Sequence, residues 1–289
     1  MNGNLFAVLS SRIPDFSKGH RRIADFILSH YDKAAFMTAS KLGESVGVSE
    51  STVVRFASEL GYDGYPELQK ALQEEMRTRL TAVQRIEVSF DRFGHDEVFR
   101  SVLLHDIDRI RRTLEETNPA DFGSAVDMIV NADRIYIMGI RSSAALASFL
   151  GYYFKLMLPN VTVIETGSRS ELYEQLMHMR SNDVLIGISF PRYSKQTVNA
   201  ITYAHNIGAK AVAVTDSIES PIAEKADKVL LAKSDMVSFV DSLVAPLSLI
   251  NALIVAVSIK NKDLVSRNFA MLDRIWEEYD VYEKNGGST

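Results

Sequence analysis

The chain has 289 residues and is 46% hydrophobic, enough for one large or two ordinary domains with buried cores. It contains no cysteine, which excludes disulfides and thiolate metal sites, and its six histidines lack paired metal-ligand spacing. Net charge is −5, yet residues 1–80 hold ten basic and ten acidic side chains, so the remainder carries 22 − 27 = −5. Overall charge therefore does not announce nucleic acid, and local clustering has to decide.

Residues 1–80 read as helices. Ser17 can cap a segment in which Ile23, Phe26, Ile27 and Tyr31 share one face at helical spacing. Next comes TASKLGESVGVSESTVVRFASELG. Thr38 suits the cap of a short helix to Val46, Gly47-Val48 the turn, and Ser49 the cap of a second helix that stops near Gly61. Pro66 fits the first turn of a further helix, to about Leu80. Two helices joined by a tight turn need a small residue where they cross and apolar residues to seal the corner. Gly43 stands at the crossing, Gly47 turns the chain, and Leu42, Val46, Val48, Val53 and Phe56 seal the corner. This is a helix-turn-helix register, and it turns Ser49, Ser51, Thr52, Arg55 and Ser58 toward a major groove. Hydroxyls can bond bases or phosphates, and arginine can bond guanine with both prongs. Lys41, Arg21 and Arg22 are placed for phosphates.

Residues 81–117 read as a linker, Val88 to His95, followed by a connecting amphipathic helix with Leu103, Ile107, Ile110 and Leu114 on one side. From residue 118 to 289 the rhythm changes. A helix restarts at Asn118-Pro119, and five β-rich runs follow: Ile135–Gly139, Val161–Ile164, Val184–Ser189, Ala211–Thr215 and Val229–Ala232. Helical patterns separate them, and the runs are apolar on both faces. A doubly wound α/β domain of flavodoxin type is expected, with five parallel strands covered by helices on both sides and ligands at the carboxyl ends of the strands. Leu243 to Ile259 is interrupted by Pro246, Ser248, Asn251 and Ser258 and reads as a buried helix. With no secretory signal at the start, a cytoplasmic protein is expected.

Two strand ends carry chemistry. The first runs into GIRSSAALA, the third into ISFPRYSKQT. Each brings hydroxyls and an arginine to the start of a helix, where backbone N–H groups and the dipole favour phosphate. Arg141, Ser142 and Ser143 come from the first loop; Ser189, Arg192, Ser194 and Thr197 come from the second. Asp216, after the fourth run, could accept sugar hydroxyls or cap a turn.

At these residues the sequence resembles the sugar isomerase (SIS) domain, and a helix-turn-helix followed by SIS resembles the RpiR family of bacterial transcriptional regulators. The resemblance covers nearly the whole chain. It implies phosphate-binding roles for Ser143, Ser189, Ser194 and Thr197. It also implies a homodimer or homotetramer, often a repressor, that binds inverted-repeat operators under the control of a phosphorylated sugar. No cofactor or metal is expected, since the sugar phosphate acts as an effector. The second loop departs from the usual Ser-x-Ser-Gly-x-Thr by inserting Pro191-Arg192-Tyr193 and lacking the glycine, and the first carries Arg141-Ser142 before Ser143. Both departures add an arginine. The alternatives are a sugar-phosphate isomerase, for which Glu165, Glu171, Glu174 or His178 would have to serve as base, and a phosphosugar-sensing module that docks on a protein.

Overall fold

In the N-terminal part, short capped helices wrap one small core. The structure, a computed structural model, describes residues 5–79, 98–234 and 240–282. Helix α1 (Leu5–Arg12) leads through a 3₁₀ turn to α2 (Lys18–Ser29), then α3 (Tyr31–Ala34), α4 (Ala39–Val46), α5 (Glu50–Glu59) and α6 (Tyr65–Arg79). The expected caps form: Ser17, Thr38 and Ser49 each accept a backbone N–H from the first turn of their helix. The face of α2 differs from expectation. Ile23, Ala24 and Ile27 are buried, while Tyr31 lies beyond the end of α2 and opens α3. The chain turns at His30, so a periodicity that continued in the sequence does not continue in space.

Leu9, Ile23, Ile27, Leu42, Val53, Phe56, Leu68 and Leu72 make the centre of this core. The Tyr65 hydroxyl donates to the Met37 carbonyl at 2.8 Å, and burial pushes its pKa up to about 12. The α4–α5 corner depends on Gly43. A Cβ there would stand 2.8 Å from the Val48 carbonyl oxygen, which is backbone and cannot swing aside. Gly47 takes the left-handed conformation, φ 69°, that closes α4. Arg22 steadies the same corner by donating from Nη1 to the Val46 carbonyl at 3.2 Å.

The C-terminal part is layered. Helix α7 (Val98–Glu116) is followed by α8 (Pro119–Val130), β1 (Ile135–Gly139), α9 (Ser142–Met157), β2 (Val161–Ile164) and α10 (Arg169–Leu176). Then come β3 (Val184–Ile188), α11 (Lys195–Asn206), β4 (Lys210–Thr215), β5 (Lys228–Leu231), α12 (Val244–Lys260) and α13 (Lys262–Glu278). All strand pairs are parallel, in the order β2-β1-β3-β4-β5. This is the flavodoxin-type order, with its switch point between β1 and β3. β1 and β3 are buried along their whole length, as strands covered on both faces must be.

One apolar layer packs α8, α9 and α12 on the sheet through Ile129, Leu150, Phe154, Ile250 and Leu253. The other packs α10 and α11 through Leu172, Leu176, Ile201 and Ala204. Helix α12 is the interrupted apolar run of the sequence, and Ala245, Leu249, Ile250, Leu253 and Val257 bury it in this core. Among the described residues, no single helix is long and apolar enough to cross a membrane. The chain clusters into two compact units, the first reaching Ser101 and the second beginning at Val102, so one continuous helix, α7, contributes to both. The expected linker at Val88–His95 lies outside the described residues.

A Gly43→Val substitution tests the corner. Over-packing against a fixed carbonyl should lower stability by roughly 1–3 kcal/mol. Urea denaturation of the full chain, followed by circular dichroism, reads this as an earlier loss of helical signal; an unchanged curve would contradict the close crossing.

Candidate functional site

The first candidate surface is the outer face of α5. Ser49 caps the helix, and its Oγ lies 2.9 Å from Ser51 Oγ and 2.8 Å from Thr52 Oγ1. Three hydroxyls thus meet at the start of one helix, where the dipole and a cap favour contact with an anion. Arg55 follows one turn after Ser51 and is exposed, with Nε donating to the Ser51 carbonyl at 3.3 Å. Ser58 continues the line at the i, i+4, i+7 spacing, and Lys41 is exposed on α4. Arg21 and Arg22, expected to reach phosphates, are exposed and also donate to carbonyls: Arg21 to those of Ile13 and Pro14, Arg22 to those of Val46 and Gly47. Glu59 is tied up as well, accepting from His20 Nδ1 at 2.6 Å.

The second candidate is a cavity of about 640 Å³ at the carboxyl ends of β1 and β3. Its first wall is the β1–α9 turn. At Gly139 a Cβ would lie 2.3 Å from the Ser143 carbonyl, so only glycine lets α9 start this close to the strand. Arg141 then takes φ 59° and ψ −124°, a conformation that costs a non-glycine residue of order 1–3 kcal/mol and that clusters at ligand sites. No side chain caps the N-terminus of α9.

The second wall is the β3–α11 loop. Ser189 is buried, and its Oγ accepts the Ser194 N–H at 3.1 Å. Ser194 in turn caps α11 by accepting the Thr197 N–H at 3.4 Å. These bonds close a short loop that aims Arg192 and Tyr193 at the cavity. The Tyr193 hydroxyl donates to Asp216 Oδ1 at 2.9 Å. Asp216 therefore braces the loop and is not among the residues that line the cavity.

Arg141, Ser142, Ser143, Ser189, Arg192 and Ser194 all line this one space. Thr197 does not. It sits in the first turn of α11 behind the wall, 0% exposed, and its Oγ1 has no hydrogen-bond partner among the described residues. The sequence reading missed Thr166, Gly167, Lys195 and Asp241, which also line the cavity. Lys195 lies within ISFPRYSKQT and could have been read there, whereas nothing local marks Thr166, Gly167 or Asp241.

The carboxylates and histidine considered as isomerase bases lie elsewhere, for none of Glu165, Glu171, Glu174 or His178 lines the cavity. Glu171 closes a capping box at the start of α10. Hydrogen bonds from the backbone of Gly167 and Ser168 hold its carboxyl below the usual range, which makes it a weaker base.

The lone hydroxyl of Thr197 has a measurable cost, since a buried polar group without a partner costs roughly 1–3 kcal/mol. Thr197→Val is nearly isosteric and removes it. Ligand-free protein should melt at the same temperature or higher; a clear fall in melting temperature would show that the hydroxyl already has a partner.

Comparison with known proteins matches both parts. Residues 3–79 match the helix-turn-helix domain of the rpiR family, and residues 128–256 match the SIS domain. An HTH-type transcriptional regulator of Haemophilus influenzae is 30% identical over 234 residues, 80% of each chain. The HTH-type transcriptional regulator HexR of Pseudomonas aeruginosa is 26% identical over 223 residues, 76% of this chain and 75% of its own. Among solved structures, the sugar isomerase domain of an RpiR transcription factor from Sphaerobacter thermophilus is 32% identical, with TM-score 0.60 over 62% of this chain and 99% of its own. Vibrio vulnificus NanR, solved in complex with ManNAc-6P, shares the fold at 20% identity, with TM-score 0.53 over 94% of this chain and 98% of its own. These relatives are regulators rather than isomerases. The chain belongs to the rpiR family of HTH-type transcriptional regulators, with a helix-turn-helix domain followed by a SIS domain.

Proposed function

We propose that the chain is a repressor of sugar-metabolism genes whose hold on operator DNA is controlled by a phosphorylated sugar in the SIS cavity. One observation carries the reading. Serines from two strand ends, two arginines and two helix N-termini line a single cavity, beside a buried threonine hydroxyl with no partner among the described residues. Hydroxyls and N–H groups in that arrangement suit a phosphate. The NanR complex holds a phosphosugar in a protein of the same fold. Ser49, Ser51, Thr52, Arg55 and Ser58 form the DNA-reading edge, with Lys41 on the backbone. A regulator of chromosomal genes works in the cytoplasm.

Control requires a ligand that distinguishes two states. The segment after β5 offers a route. Asp241 lines the cavity, and the next residue, Ser242, donates from Oγ to Asp106 Oδ1 on α7 at 2.7 Å. Asp106 also pairs with Arg109 at 2.8 Å, and Arg109 is only 3% exposed. Lys233 adds two ties to α7, its N–H to Thr113 Oγ1 at 2.9 Å and its ammonium to Glu116. A ligand that moves Asp241 therefore acts on the helix whose first turn belongs to the N-terminal unit.

Association into dimers or tetramers fits the apolar side chains left exposed on the C-terminal unit: Ile107 and Leu114 on α7, Ile259 on α12 and Met271 on α13. A two-fold dimer would present paired helix-turn-helix domains to an inverted repeat.

Two variants test this reading by fluorescence anisotropy on operator DNA. The double variant Ser189→Ala, Ser194→Ala should bind DNA but no longer respond to sugar phosphates; an intact response would remove the phosphate site from the cavity. Ser242→Ala should bind both DNA and effector, while the effector changes DNA affinity by less than the ~5–150-fold range typical of allosteric coupling. Undiminished coupling in that variant would exclude the route through α7.

A further inference from the structure

The outer face of α5 holds one side chain with no polar group to offer. Val54 is 39% exposed, and among the described side chains from Leu5 to Glu75 it is the one large apolar group left so open to solvent. It takes no part in the N-terminal core, which Val53 and Phe56 of the same helix enter fully buried. Single apolar residues are ordinary on protein surfaces, so position has to decide. Val54 stands three residues after Ser51 and four before Ser58, with Arg55 beside it. At helical spacing these side chains make one compact patch, and all of them are exposed. A β-branched residue is also a poorer helix former than the alanine, lysine or glutamate that suit an open helix position. Neither helix formation nor core packing accounts for a valine at this place.

The groups around it divide the work of reading a base. Hydroxyls discriminate weakly, because Ser51 and Ser58 can donate or accept. The bond that Arg55 makes to the Ser51 carbonyl uses Nε, so among the described residues its two terminal nitrogens remain for the O6 and N7 of guanine. An isopropyl group can make neither kind of bond. Along the base edges of the major groove the apolar feature is the C5 methyl of thymine. Covering that methyl with the valine takes two apolar surfaces out of water together. The same valine over the amino group of cytosine or adenine strips a donor of water and gives it no new partner.

We infer that Val54 is a specificity-determining residue, and that it selects a thymine in each operator half-site by covering its C5 methyl. This rests on α5 being the DNA-reading helix, as proposed above. Arg55 supplies the polar choice and Val54 the apolar one, side by side on one helix.

Operator DNA in which thymines are replaced one at a time by deoxyuridine decides the matter. Deoxyuridine keeps every hydrogen-bonding group of thymine and lacks only the methyl. Fluorescence anisotropy with the full chain, on a site recovered from genomic DNA, should reveal a thymine in each half-site whose replacement weakens binding about fourfold, the value for one buried methyl group. Val54→Ser should weaken binding to the thymine operator and make the two DNAs equal at that position. A site bound specifically but indifferent to deoxyuridine at every thymine overturns the assignment and leaves α5 as the reading helix. A methyl effect that survives Val54→Ser also overturns it, since another group or the shape of the DNA then reads the methyl. If no site is bound specifically, the reading helix itself fails, and Val54 with it. The deoxyuridine series needs only the native chain, so it still decides against the methyl contact should the variant fail to fold.

Discussion

The site depends on β1 and β3 lying side by side and parallel, with their crossover helices leaving on opposite faces of the sheet. Register pairs Gly139 with Ile188, so the two strands end level with each other. The helices that follow, α9 and α11, therefore start at one edge and open on one cavity. No single residue creates this convergence. It results from the parallel order, and the order is held by a buried apolar layer on each face. Local detail then refines it, because Gly139 lets α9 approach and the Ser189–Ser194–Thr197 chain of bonds fixes the start of α11.

The same economy governs the N-terminal unit. Gly43 allows two helices to cross at near backbone contact, and the caps at Thr38 and Ser49 fix where each begins. Once the corner is closed, Ser49, Ser51, Thr52 and Arg55 have nowhere to go but outward. Arg22 shows how a basic residue can serve the architecture: it holds carbonyls at the corner while its charge stays on the surface.

Much of this was legible because the signals are local. A cap serine bonds an amide three residues on, and a parallel strand buried on both faces is a short apolar run. Each strand ends within a residue of its apolar run, and the helix-turn-helix corner lies at Gly43 and Gly47. What escaped is what depends on distant partners. Asp241 reaches the cavity, and Ser242 bonds Asp106 across 136 positions of sequence, through the course of the chain after β5. Arg109 reads as one more charge on an amphipathic helix, yet it is buried against the pair it completes. Tyr31 escaped for the opposite reason: a local break at His30 ended a pattern that looked continuous.

The central claim is that a sugar phosphate governs sequence-specific DNA binding by this chain. It is tested most directly by selecting sheared genomic DNA on the full-length protein, with and without a panel of sugar phosphates, and sequencing what is retained. The account expects a few sites sharing an inverted repeat, lost when one compound of the panel is present, and not selected by an Arg55→Ala chain. Retention of no specific sites at low salt, or retention unchanged by every compound and by loss of Arg55, would contradict it and leave the SIS domain serving a protein partner instead.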